Sequence, residues 1–181
     1  MLQITIPERE SFDESTGKFI YTKEYTLQLE HSLVSLSRWE SKWKKPFLNQ
    51  KEALNREELI DYIRCMSINN GVPDIAYEAI GPLEMQMILG YIADGHTATT
   101  ITDRRPKPVR QEVITSELIY YWMIACGIPF ECQKWHLNRL LTLIKICNIK
   151  QGPEQKMSRQ SIYAQNKALN DARRARLHSR G

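Results

Sequence analysis

The chain is short of the features by which enzymes, secreted proteins and membrane proteins announce themselves. It has four cysteines and eight glycines in 181 residues. Cys65, Cys126, Cys132 and Cys147 are too few and too widely spaced for a disulfide framework. Three of them fall in apolar helical stretches, where a reduced thiol behaves as a small hydrophobe. No glycine-rich phosphate loop, dinucleotide fingerprint, serine elbow or cysteine–histidine signature occurs, so a nucleotide cofactor and nucleophilic catalysis have no motif behind them. The longest apolar run, Leu118 to Ile128, is about half the roughly 20 residues of a membrane-spanning helix. The N-terminus MLQITIPERE lacks the basic start and apolar run of a secretory signal. A non-membrane, cytoplasmic protein is expected.

What is present suits a helical core. Apolar residues make up 42% and charged residues 25%, enough for one domain of ordinary solubility. The net charge of +4 is unevenly placed: from Lys150 onward eight Lys or Arg face only Glu154 and Asp171, so the tail is basic and the body near neutral. The expected organisation is a single α-rich domain over 1–150 and a basic C-terminal helix or tail over 151–181.

Residues 1–30 read as β, since Leu2, Ile4 and Ile6 alternate with polar residues and Asp13 to Gly17 has turn composition. Leu33, Leu36, Trp39 and Trp43 then recur at helical spacing until Pro46. Asn55 with Glu58 forms a capping-box pattern ahead of a second helix closed by Gly71 and Pro73. Pro82 suits a helix start, and 95–111 reads as an exposed loop. Thr115 or Ser116 can cap a helix ended by Gly127 and Pro129, followed by another from about Glu131 to Asn148. The fold class expected is α+β, predominantly helical: a small N-terminal antiparallel sheet, then five or six helices with a central αα-hairpin.

Candidate chemistry is sparse. Cys126, Cys132, His136 and Cys147 are the one set to weigh for zinc, because Cys132 and His136 lie a helical turn apart; without a tight ligand pair, packed thiols are the better reading. No catalytic residue, metal or cofactor is expected. Trp39, Trp43 and Tyr121 are the candidate partner contacts, because large aromatics dominate both cores and interface hot spots. Arg173, Arg174 and Arg176 are candidates for phosphate or acidic-partner contacts, with a solvated or partner-docking helix favoured over either.

Three segments carry a family resemblance: LQLEHSLVSLSRWESKWKKPFL, ITSELIYYWMIACGIPFECQKWHLNRLLTLIKICN and MSRQSIYAQNKALNDARRARL. They cover roughly half the chain and resemble small proteins of tailed bacteriophages and prophages, the tail assembly chaperones made just before the tape-measure protein. The resemblance implies a non-enzymatic protein of the host cytoplasm. It would bind the tape-measure protein and shield its apolar helices, with the tail tube protein and a second copy of itself as further partners. Two alternatives stand beside it: a virion structural protein, such as a connector or minor tail component, and a small nucleic-acid-binding protein using the basic tail.

Overall fold

A computed structural model describes residues 1–13, 17–48, 54–101, 113–151 and 159–177. Of these, 58% are helical and 13% lie in strands, which makes the fold α+β and mainly helical. The chain divides into two compact units, Met1–Cys147 and Asn148–Gly181.

The N-terminal strands are β1 (Leu2–Ile6), β2 (Arg9–Asp13), β3 (Lys18–Thr22) and β4 (Tyr25–Leu29). β1 pairs with β4 and β2 with β3, both antiparallel. The two ladders keep one register: Ile6 faces Tyr25 and, three residues on, Arg9 faces Thr22. They are therefore two ends of a single hairpin, broken where Pro7 has no N–H to donate. Alternation puts Ile4, Ile6, Leu27 and Leu29 on one buried face.

Helix α1 (Leu33–Trp43) is the element around which the first unit is built. Ser32 and Ser35 form its capping box, and Leu33, Leu36 and Trp39 are fully buried along its inner stripe. It ends not at Pro46 but at Lys44, which takes the left-handed conformation at φ 56°. Helix α2 (Arg56–Met66) packs on α1 and starts with the Asn55–Glu58 capping box that the spacing suggested. It stops at Met66, ahead of Gly71, because Ser67 bridges to Leu29 and the Ile68 N–H donates to the Gln28 carbonyl.

The short α3 (Asp74–Glu78) precedes α4 (Pro82–Ala93), which carries Pro82 in its first turn. Helix α5 (Ser116–Ala125) is capped by Thr115, packs on α1, and ends at Gly127 with φ +66°. A 3-10 turn (Phe130–Lys134) follows, then α6 (Leu137–Gln151). The second helix thus begins six residues later than its apolar spacing suggests. His136 pairs with Ser32 in a β-bridge and the Leu137 N–H donates to the His31 carbonyl, which holds the chain extended there. One cluster of buried side chains joins the strands with α1, α2, α4, α5 and α6.

In the second unit the described element is α7 (Arg159–Leu177). Seven α-helices lie among the described residues, against the five or six expected. Gly152, Pro153 and Ser158, whose residue types suit a break and a cap before the last helix, fall outside the described residues, as does most of the 95–111 loop.

Candidate functional site

Helices α1 and α2 place the two tryptophans of the first apolar stripe very differently. Trp39 is fully buried, donates its indole N–H to the Glu58 carbonyl at 2.9 Å, and meets Phe47 and Tyr62 edge-on. It offers no surface to a partner: this contact candidate is a core residue, sealed there by the docking of α2. Trp43, one turn on, stacks against Trp39 with centroids 6.0 Å apart and donates its indole N–H to the Asp61 carboxylate at 2.8 Å. Its half-buried ring edges a cleft of about 470 Å³ with Lys42, Arg56, Asp61 and Arg64. Each cation there is already engaged: Lys42 by Asp61, Arg64 by Asp74 at 3.3 Å, Arg56 by the Glu78 and Ile80 carbonyls. Lys45, beside the same tryptophan, holds the Glu58 carboxyl below the usual carboxylate range. The cleft walls are fastened structure, with no cation waiting for a ligand.

Helix α5 differs from α1 and α2 in being apolar on both sides. Its inner face sends Ile119 and Met123 into the core at 0% exposure, while Tyr121 and Ile124, one turn apart on the outer face, are 63% and 64% exposed. Phe130, also exposed, lies beside the Tyr120 ring at 6.3 Å and lengthens the outer face into a ridge. The start of α5 is fixed by Glu40, a buried carboxylate on α1 that accepts the Ser116 N–H at 2.7 Å and the Phe47 N–H at 2.9 Å.

A third arrangement was not foreseen from the sequence. His31 and His136 are both buried, with rings 5.1 Å apart. His31 Nδ1 lies 2.6 Å from the Tyr62 hydroxyl, and His136 Nε2 lies 3.0 Å from the Tyr91 carbonyl. His96 stacks on His136, and the Tyr91 hydroxyl donates to Glu30 at 2.6 Å. Burial, and then the neighbouring His136, push His31 down to about 3. Burial also lowers His136 and raises the Tyr62 and Tyr91 hydroxyls. The imidazoles of His31 and His136 and the hydroxyls of Tyr62 and Tyr91 are therefore uncharged parts of the core at neutral pH. No single stretch of sequence signals the cluster, since its members come from four separate stretches of chain: Glu30–His31, Tyr62 of α2, Tyr91 of α4 with His96 beyond it, and His136.

Among the described residues no group of three or more His, Cys, Asp or Glu is placed to hold a metal ion. Cys132 is buried, and Cys126, Cys147 and Cys65 are half-buried. Burial raises the Cys126 thiol, and Cys147 beside it adds to the rise. No described helix is long and apolar enough to cross a membrane. On α7, Arg173, Arg174 and Arg176 are all exposed. Compared with protein-family models, with curated proteins and with solved structures, the chain matches none.

Proposed function

We propose that this protein is a non-catalytic binding factor of phage tail assembly, a chaperone that covers apolar helical segments of the tape-measure protein. One observation carries the reading: α5 exposes Tyr121 and Ile124, extended by Phe130, on the face opposite its buried Ile119 and Met123. A helix apolar all round is ordinarily buried. Here half of that surface is left open, and it lies within the segment that most resembles tail assembly chaperones. Shielding an apolar helix works through buried area and a helix-in-groove or helix-on-helix contact, and needs no reactive group.

The test is quantitative mass spectrometry of the protein in infected or induced lysate and in purified particles. Abundance in lysate with absence from particles supports an assembly factor that leaves before maturation. Stoichiometric retention in particles makes it a structural component and overturns the chaperone reading. At residue level, Tyr121→Ala with Ile124→Ala should leave the melting temperature within a few degrees of the parent, because both side chains are exposed. It should weaken binding to tape-measure segments at least about tenfold, as loss of an aromatic anchor does. Unchanged binding would remove the ridge from the proposal.

A further inference from the structure

Helix α7 carries five cations, Arg159, Lys167, Arg173, Arg174 and Arg176, against the single acid Asp171. Their distribution is more informative than their number. Tyr163, Asn166, Lys167, Asn170, Arg173 and Arg174 recur at three- and four-residue intervals, so they share one face of the helix. All six are exposed. The face holds three cations, two amides and one phenol, all able to donate hydrogen bonds, with Asp171 at one edge and the exposed Leu169 at the other, beside Arg173. Among the described side chains within the stripe Tyr163 is the one large apolar group, and three turns of helix, about 16 Å, separate Tyr163 from Arg174.

We infer that this stripe binds the phosphate backbone of duplex DNA without reading its sequence. Charge complementarity selects the occupant. Protein partners are held by an apolar interface core from which charge is depleted; among the described residues of this face Tyr163 and Leu169 stand six residues apart with cations and amides between and beside them, which is no such core. Interfaces with nucleic acid are polar, positive and wet, which is the composition found here. Single strands are gripped by successive aromatics on which bases stack, and one tyrosine is not a stacking ladder. Duplex DNA presents the densest row of phosphates, and amides and guanidinium groups on a helix are ordinary donors to phosphate oxygens. This binding stands apart from the α5 ridge.

The experiment is fluorescence anisotropy of the full chain with a labelled duplex of about 30 base pairs between 50 and 200 mM salt. Three phosphate contacts give a slope of log K against log salt of about −2.7, hence a weakening of about 40-fold over that range. Lys167→Ala, Arg173→Ala and Arg174→Ala together should abolish the shift, while Arg173→Lys with Arg174→Lys, which keeps the charge, should retain it. Circular dichroism of both variants should match the parent, since alanine and lysine are good helix formers. No binding at 50 mM salt, or equal binding by the triple alanine variant, would overturn the inference. Tighter binding to the single strand, or to polyglutamate of equal charge, would also overturn it, and the latter would make the stripe a dock for an acidic protein.

Discussion

His31 makes the stability of this fold depend on pH in a calculable direction. Its folded-state value of about 3 lies below the ordinary 6.5, so between those values the unfolded chain binds a proton that the folded chain refuses. The stability this contributes is complete above about pH 6.5 and is lost as pH falls toward 3. Between pH 7 and pH 5 the loss from His31 alone is about 2 kcal/mol, at about 1.4 kcal/mol per pH unit. His136, lowered in the same sense, adds to it. The groups around the pair do not reverse the sign. Tyr62 from α2 stays protonated and is best placed to donate to His31 Nδ1, so protonating His31 sets two donors against each other. Glu30 is occupied by the Tyr91 hydroxyl and the Met1 amine. Lowered carboxylates such as Glu58 and Glu117 give up their contribution only below about pH 4.5, outside this window. Urea unfolding at pH 7.0 and 5.0 measures the effect. With a slope of about 2 kcal/mol per molar, the midpoint should fall by about 1 M or more. His31→Phe should cost about 1–3 kcal/mol at pH 7, by taking the imidazole partner from the buried Tyr62 hydroxyl, yet flatten the drop toward pH 5. Equal midpoints for the parent protein at both pH values would refute the neutral, buried state assigned to His31.

Three further outcomes follow from the core. Trp39→Ala should destabilise by about 3–5 kcal/mol in thermal or urea unfolding, and Trp43→Ala by clearly less, because only Trp39 is fully enclosed. Glu40→Ala should cost about 2–4 kcal/mol, since it strips the acceptor from two backbone N–H groups of Phe47 and Ser116; a change under 1 kcal/mol would mean that water replaces the carboxylate. Gly127→Ala should cost about 1–2 kcal/mol through backbone strain alone, because a Cβ there meets nothing within 4 Å while φ is +66°.

What the sequence made legible was local. The alternation of Ile4 and Ile6, the Asn55–Glu58 capping box, Thr115 as a cap, Pro82 in a first turn and Gly127 as a left-handed stop all depend on neighbours a few residues away. What escaped it depended on distant partners. α6 starts at Leu137 because His31 and Ser32 engage the chain just before it, about a hundred residues upstream. Glu40 resembles any surface carboxylate until Ser116, 76 residues on, supplies its N–H. Trp39 and Trp43 are four residues apart and equivalent to a helical periodicity; the docking of α2 buries the first and leaves the second half-open. Tyr121 stood among the contact candidates, but its grouping with Ile124 and Phe130 was hidden for the opposite reason. Dense apolar sequence reads as core, and only the fold shows which half of α5 stays exposed.

That open half of α5 and the cationic stripe of α7 oppose each other in their physics. Isolated apolar residues on a surface are normal and need no explanation. Tyr121, Ile124 and Phe130 are not isolated, since the first two share one turn of α5 and the third has its ring 6.3 Å from that of Tyr120 on the same helix. Contact made through such a ridge draws on the removal of apolar surface from water, which added salt does not screen and excluded salts such as sulfate strengthen. Contact made through Lys167, Arg173 and Arg174 draws on counterion release, which salt weakens steeply. Raising sodium sulfate should therefore leave the proposed tape-measure complex intact or tighter while weakening the proposed contact with DNA. A complex with tape-measure segments that dissociated over 50–200 mM salt would shift the tape-measure contact from the α5 ridge to charged residues.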